Sequence, residues 1–526
     1  MVTTKRGLLA ALAAMLVLTT AACGNGGSGN TTDAGASSPA ATAGSAKSSQ
    51  PVPIKIMGNY DAADLSETDK KMVALLEQKT GTKITFEIPP LTGYKERLQL
   101  MLASGDYPDL VFFPATNGPS FLNAMKDGVI LPVNDYIKNT KNLEKHSYDT
   151  SWDALKVNQD NKLYGIPRTS VTRNDGYWVR KDWLKNVGIT IPDNAEVTLD
   201  QFSDILRKFT KDDPDKNGKN DTYGFAVNAN AKKVLDPVLS GTFGLTGWTK
   251  SSGGKYEYLD PMYDTTSDAY KKALSYTNML YKEGLLDPDA ATNDATKARE
   301  RFWKGVTGVF PGFAGHYNWH TDEMRKLNPN VELTFVFVKD EKGQVKGGGY
   351  ATGLWGFWAV MKGSKNPQKA VDFLDAYLSD DMWPIVSDGF EGSDYKVENG
   401  QKVAIPNAPT SFVRKNTMRR ANDIDFFITV GMDKNVKELI TPWLKKSVDT
   451  VVRGKDLGFV PDASKKPEMM DYQKVWDQTV MKIILGEQPV SKFDDLLSGW
   501  YKAGGEDYVK QMNDFIKKME AAKAAK

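Results

Sequence analysis

The stretch from Asp213 to Gly224, DPDKNGKNDTYG, holds the side chains best suited to chemistry in this chain. Counted from Asp213, oxygen donors fall at positions 1, 3, 5 and 9 as Asp213, Asp215, Asn217 and Asp221. Gly218 at position 6 suits a sharp turn, and Lys219 at position 7 supplies a backbone carbonyl, so the order is that of an EF-hand calcium loop. Position 12, normally a bidentate Glu, is Gly224, which leaves the set incomplete. An Asn- and Asp-rich turn forms without metal, but three carboxylates brought together without a cation repel one another. A Ca2+ ion with a structural role is therefore expected, since no catalytic set stands beside it.

Two further groups invite an enzymatic reading and fail it. His316 and His320 are four residues apart, yet Pro311, Gly312 and Gly315 argue against a helix there, and Tyr317 stands where an HExxH zinc motif has its Glu. With three His and one Cys in the whole chain, a metal hydrolase is disfavoured. Glu391 and Asp394 are close in sequence, but nothing in the spacing of two loop carboxylates makes them the acid and base of a glycosidase. A secreted glycosidase, a polysaccharide lyase and a non-transporting glycan adhesin remain the alternatives to a binding receptor. No Gly-rich phosphate loop or basic recognition helix is present, so no nucleic-acid partner is expected.

The elements that position these residues begin with an export signal. Lys5 and Arg6 precede an uncharged apolar run, Leu8 to Leu18, too short for the ~20 residues of a membrane span. Thr20, Ala21 and Ala22 lead to Cys23, the single cysteine, followed by Gly24. This resembles the lipobox of bacterial lipoproteins, with Thr20 where that motif usually has Leu. The resemblance implies cleavage before Cys23 and lipidation of its sulfur, which would hold the protein at the outer face of the cell membrane. Two or more acyl chains at ~0.8 kcal/mol per buried methylene anchor stably. Residues 24–50 are almost wholly small and polar and read as a flexible tether. Removing residues 1–22 takes two of the 68 basic residues and none of the 66 acidic ones, so the exported chain is charge-balanced. It offers no field for nucleic acid or an anionic surface, and its length implies at least two domains at ~100–200 residues each.

Past Pro51 the pattern is strand, helix, strand, helix, strand. Ile54, Ile56 and Met57 mark a strand. Ser66 and Asp69 open a helix with Met72, Val73, Leu75 and Leu76 on its apolar face and Gly81 at its end. Ile84, Phe86 and Ile88 alternate as a strand, Tyr94, Leu98, Met101 and Leu102 keep helical spacing, and Leu110 to Phe113 is a strand. This order predicts a parallel sheet with helices on its faces, which binds ligands beyond the carboxyl ends of its strands. Further on, Thr198 and Gln201 cap a helix carrying Phe202, Ile205, Leu206 and Phe209, and helices are predicted near 267–283 and 295–304. Val306–Phe310, Val331–Val338 and the stretch around Trp355 read as strands. Asn366-Pro367 opens a helix to Leu378, and about 400–526 is mostly helical.

LMLASGDYPDLVFF (100–113) resembles the signature of family 1 extracellular solute-binding proteins, the receptors of bacterial ABC sugar importers. LPVNDYI (131–137), KLYGIPR (162–168), YWVRKDWLKNVGI (177–189), DPDKNGKND (213–221), GFEGSDY (389–395) and ILGEQPVSKFDDLLSGWYKAGG (484–505) fit its long lipoprotein branch, which includes alginate-oligosaccharide receptors. The resemblance implies an α/β fold of two lobes, of the type II periplasmic-binding-protein kind, each a mostly parallel sheet flanked by helices, with the ligand between them. The lobes are expected as 51–168 plus about 312–362, and about 169–311 plus 363–526, with the 306–310 strand crossing back to the first. Relatives hold calcium at a similar loop, often with a carboxylate after the last Asp, where this chain has Thr222. The resemblance further implies an oligosaccharide ligand, ABC permease subunits as partners and a monomer that closes about a hinge.

Sugars present apolar C–H faces and a rim of hydroxyls, so aromatic platforms with nearby Asp, Glu, Asn and Arg are the sites to seek. Asn59, Tyr60 and Asp61 follow the first strand, Arg168 closes KLYGIPR, and Trp178 enters the second lobe. Tyr317 and Trp319 fall in an expected loop after Phe310, Trp355 starts a strand, and Phe390, Glu391, Asp394 and Tyr395 form the GFEGSDY loop. Trp319 and the GFEGSDY group are favoured by the resemblance, although Trp and Tyr are commonly structural.

Overall fold

The computed structural model describes residues 50–60, 62–156, 162–226, 237–251, 253–290, 292–347, 352–405, 411–421, 423–428 and 430–524. The export signal, Cys23, most of the tether and Asp61 lie outside them.

Two five-stranded sheets are built from strands that we number in chain order. These are β1 (Val52–Met57), β2 (Thr82–Glu87), β3 (Leu110–Phe113), β4 (Ile166–Thr169), β5 (Gly176–Arg180), β6 (Glu196–Val197), β7 (Tyr223–Phe225), β8 (Thr307–Gly312), β9 (Leu333–Val338) and β10 (Leu354–Val360). The first sheet has the order β2-β1-β3-β10-β4 and the second β6-β9-β5-β8-β7. In the first, β1 is parallel to β2 and β3, while β10 runs antiparallel to β3 and β4. In the second, β5 is antiparallel to β8 and β9, which are parallel to β7 and β6. Each sheet thus has a single strand against the common direction, and the two-lobed α/β architecture follows.

Local signals set the helices. Ser66 accepts from the Asp69 amide while Asp69 accepts from the Ser66 amide, a reciprocal cap that opens the helix Glu67–Thr80, and Gly81 ends it at φ 68°. Only a residue without a Cβ takes that angle at no cost. Thr198 and Gln201 make the same reciprocal cap for the helix Leu199–Lys211, which buries Phe202, Ile205, Leu206 and Phe209.

Four apolar clusters form the core. One fills the first lobe around Ile54, Ile56, Phe112, Phe113, Phe357 and Trp358. Two line the second sheet, one with Tyr177, Val179, Phe202 and Val309, the other with Trp178, Phe313, Phe335 and Trp443. The fourth joins the C-terminal helices Pro467–Ile484, Lys492–Trp500 and Glu506–Ala524 to Trp248, Tyr258 and Tyr270.

The expected lobe boundaries need correcting in three places. Strand β8 stays inside the second sheet, paired with β5 and β7, instead of crossing to the first. Strand β9 also pairs with β5, so residues 333–338 belong to the second lobe. The helix Pro367–Tyr377 packs Ala370, Val371, Phe373 and Leu374 into the first core, as do Val413 and Met418. The chain therefore passes between lobes at 170–175, between β9 and β10, and between the helices Phe412–Asn416 and Lys434–Asp449, whose Ile440, Trp443 and Leu444 sit in the second lobe.

Candidate functional site

The first passage joins the carboxyl end of β4 to the start of β5, so it sets the carboxyl edges of the two sheets against each other. All of Ser170, Val171, Thr172, Arg173 and Asn174 are buried. The Ser170 amide donates to Gly353 O at 2.8 Å, tying this passage to the second, and the Asn174 amide donates to Ser447 O at 2.7 Å, tying it to the second-lobe helix Lys434–Asp449. Arg173 pairs with Asp175 at 3.1 Å, and burial raises the Asp175 carboxyl while Arg173 opposes that rise.

Between the edges runs a ladder of rings and guanidinium groups. Trp355, at the start of β10, has Arg168 at 4.4 Å and Arg419 at 4.1 Å from its ring centre. Arg419 also lies 5.0 Å from Phe426 and 5.8 Å from Phe427. Phe427 meets Phe313 edge-on at 4.7 Å, Phe313 meets His316 at 5.5 Å, and His316 meets Trp319 at 5.4 Å. Arg173 caps Phe313 at 4.0 Å and Arg299 caps Trp319 at 4.6 Å. Such contacts contribute about 0.5–1 kcal/mol when exposed and more when desolvated. The path leads from a first-lobe strand to a second-lobe helix.

Several members are fixed by hydrogen bonds. Arg168 donates to Trp355 O at 3.0 Å and Asn416 O at 2.7 Å; burial lowers its pKa to about 10, so it keeps its charge at neutral pH. Arg419 donates to Lys415 O and to Asn416 Oδ1, and its own carbonyl accepts from Thr169 Oγ1 at 2.7 Å. Burial pushes His316 down to about 3, and Arg173, Arg419 and Arg299 push it the same way, so it is a neutral imidazole. Trp319 is 39% exposed. Trp303 and His316 stand edge-on to its ring, and a partly exposed indole is the kind of flat surface a sugar face requires.

The expected site residues divide. Arg168, Trp319 and Trp355 belong to the ladder. Asn59 follows β1 at the same edge, its buried Oδ1 having no hydrogen-bond partner among the described residues. Asp61 is outside the described residues. Tyr60 is in the first core, its hydroxyl 2.9 Å from Thr417 Oγ1, and burial raises its pKa. Trp178 is fully buried between Phe335 and Trp443 because its strand is the middle of the second sheet, so it packs the core and offers no exposed platform. Tyr317 is buried 5.9 Å from Trp178.

The segment after β8 is not a loop: Tyr317–Arg325 is a helix, entered through a turn at Ala314–His316, and the glycines and proline end before it starts. His320 accepts at Nδ1 from the Trp303 indole N–H at 2.9 Å, a structural bond. In GFEGSDY, Asp394 closes its own turn, accepting from the Phe390 amide at 2.9 Å and pairing with Arg414 at 3.3 Å. Its burial there corrects its expected role as a solvent-facing ligand group. Glu391 is exposed, Phe390 has Lys71 at 6.0 Å, and Tyr395 carries Lys402 at 4.7 Å. The partners of this loop lie on the first lobe, apart from the ladder.

Around Asp213 the backbone turns sharply, with φ of 43° at Asp213, 57° at Lys216 and 78° at Gly218. Asp213 accepts from the Asn217 and Gly218 amides, and Asn217 donates Nδ2 to Asp215 at 3.0 Å and to Asp221 at 3.1 Å. Partial burial raises the Asp215 carboxyl, and Asp213 and Asp221 add to the rise. The amide hydrogens of Asn217 thus sit where positive charge is demanded. The Lys219 amide donates to Asn217 Oδ1 at 2.8 Å. Thr222 is corrected: it is buried and its hydroxyl donates to Phe209 O at 2.8 Å, away from the carboxylates. A Cβ at Gly224 would lie 2.7 Å from Leu206 O, so no Glu fits at the twelfth position in this conformation. Among the described residues no three His, Cys, Asp or Glu side chains form a metal-holding group by themselves.

Arg173, Arg299, Phe313, Arg419, Phe426 and Phe427 escape the sequence reading, which weighs His316 only as a zinc ligand. The signal for the last three was RRANDIDFF (419–427), a run with no helical period inside a region read as helical.

Comparison with known proteins matches residues 62–382 to the model of a family described as bacterial extracellular solute-binding protein. The chain is 25% identical over 455 residues to the polygalacturonan/rhamnogalacturonan-binding protein YtcQ of Bacillus subtilis, covering 84% of this chain and 87% of that one. It is 25% identical over 477 residues to lipoprotein LipO of the same organism, covering 88% and 91%. Its fold is similar to that of the ABC-transporter substrate-binding protein FusA of Streptococcus pneumoniae, an EF-hand mutant in complex with fructo-nystose. There the TM-score is 0.65 at 20% identity, over 89% of this chain and 100% of that chain.

Proposed function

The chain belongs to the bacterial extracellular solute-binding protein family, and from that premise we propose that it is the receptor of an ABC importer for an oligosaccharide. The observation that carries this reading is the ladder from Trp355 to Trp319 between the carboxyl edges of the two sheets. Its rings suit C–H faces, while the guanidinium groups of Arg168 and Arg419 suit hydroxyls. A ligand touching both ends binds best when the lobes are closed, and the three passages between them are the hinge. Permease subunits then read the closed form. The names of YtcQ and FusA support an oligosaccharide as the class. Among the described residues no helix is long and apolar enough to cross a membrane. Lipidation of Cys23 would keep a monomeric receptor beside its importer, and the likeness to LipO supports this.

Calcium is the second part of the proposal. The oxygen-only donors Asp213, Asp215, Asn217, Asp221 and the Lys219 carbonyl suit a hard cation. When bound, Ca2+ would neutralise the carboxylates and stiffen the turn between the helix Leu199–Lys211 and β7. The EF-hand of FusA supports it.

Calorimetric titration with oligogalacturonate and with nystose tests the receptor reading, alongside small-angle scattering. Saturable binding with a smaller radius of gyration is expected. Release of new reducing ends from either sugar would overturn it in favour of an enzyme.

A further inference from the structure

The segment 484–505 takes no part in the ladder, yet it builds a distinct structure. The helix Lys492–Trp500 is followed by a kink over Tyr501–Gly505, with Gly504 non-helical, before the last helix begins at Glu506. Gly504 has φ 130°, and a Cβ on Gly505 would lie 2.2 Å from the Trp500 ring, so glycine is required at both positions. Tyr501, the first residue after the helix, is half-buried. Its hydroxyl donates to Tyr263 O at 2.7 Å and its ring stands edge-on to Trp500 at 5.1 Å, which leaves the phenol one orientation. Trp500 itself stacks on Tyr263 at 4.1 Å, so the platform has a rigid backing.

Tyr501 forms one wall of a groove of about 540 Å³, with Tyr256, Leu259, Asp264, Leu497 and Lys502 among the other walls. Two aromatic side chains and two leucines beneath a rim of carboxylate, hydroxyl and amino groups make the surface a pyranose needs. The rim carries Lys255 and Lys502 against Asp264, Asp494 and Glu506, with Lys255 paired to Glu506, so it is slightly acidic on balance. A neutral ring suits this balance better than an acidic one. Every wall comes from residues 253–266 and 494–506, so the groove exists whether the lobes are open or closed.

We propose that this groove is a second carbohydrate site, one that takes a neutral pyranose unit independently of the cleft. A receptor holding a glycan here would keep a long chain nearby while the cleft opens and closes.

Saturation-transfer NMR on the full chain with methyl β-D-glucopyranoside and methyl β-D-galactopyranoside tests it. At least one sugar should give a signal that Trp319→Ala retains. Tyr501→Ala and Tyr256→Ala should each reduce that signal roughly tenfold without changing affinity for a cleft oligosaccharide. Tyr256→Ala keeps the test open if Tyr501→Ala does not fold. No signal from either sugar in the wild type, or a signal lost in Trp319→Ala and kept in Tyr256→Ala, would overturn the proposal.

Discussion

Phe426 and Phe427 are adjacent in sequence, have rings 5.4 Å apart and perpendicular, and pack on different lobes. Phe426 lies against the first core beside Trp383, and Phe427 against the second-lobe cluster beside Phe313. The boundary between the lobes therefore falls between two consecutive residues. Phe427→Ala removes the second-lobe half of this contact. It should lower oligosaccharide affinity by roughly tenfold, the cost of ~1.4 kcal/mol of closed-state packing, with a smaller effect on thermal unfolding. Calorimetry and differential scanning fluorimetry on the same variant separate the two.

Trp178 and Trp319 make a contrasting pair. Trp178→Ala opens a cavity in a fully buried aromatic cluster and should cost about 3–5 kcal/mol of unfolding free energy. Trp319→Ala should stay within about 1 kcal/mol of wild-type stability while affinity drops by tenfold or more. Denaturant unfolding and ligand titration of both proteins check this; equal destabilisation would place Trp319 in the core.

The three histidines titrate in one direction. Burial lowers His146 to about 4 and His316 to about 3, and it takes His320 well below the ordinary value. An unfolded chain binds protons at these positions near pH ~6.5, and the folded one does so only in stronger acid. Stability is then indifferent to them above that pH and falls as pH drops from ~6.5 toward ~4, because the unfolded state takes up more protons. Melting temperatures across this range should decline, and His316→Gln should shallow the decline. Ligand affinity between pH 5.5 and 8 should show no His316 step.

Calcium gives a prediction with its own control. Excess EGTA should lower the melting temperature and added CaCl2 restore it, while Asp215→Ala abolishes the difference. Identical melting curves with chelator and with calcium would remove the metal from the proposal.

Much of the fold is legible in the sequence because it rests on local rules. Ser66 with Asp69 and Thr198 with Gln201 are caps that a few residues determine, and Leu110 to Phe113 is a buried strand whose apolar run needs no tertiary knowledge. The site is less legible because its membership depends on which strand becomes central. Nothing local distinguishes Trp178 from Trp355; the first is fully buried in the middle strand of its sheet, while the second is half-buried near the start of β10, where the register to β4 shifts between Leu354 and Phe357. The helix that carries His320 is hard to read from the residues because Gly312 and Gly315 look like breakers of a helix that starts only after them. Arg419 and Phe427 act through the third passage between lobes, and a passage is defined only by the bodies it connects.

Two rigid bodies joined by one strand swivel freely, and joined by two they still twist. The three passages here, cross-tied at Ser170–Gly353 and, from the last residue of β4, at Thr169–Arg419, leave little beyond a single angle. On the receptor reading proposed above, an angle fixed in this way would make the separation of Trp355 and Trp319 a ruler: a sugar too short to span it would gain no closure, and one too long would hold the jaws apart. Chain length, and with it the degree of polymerisation admitted to the importer, would then be selected by the hinge as much as by any side chain that touches the ligand.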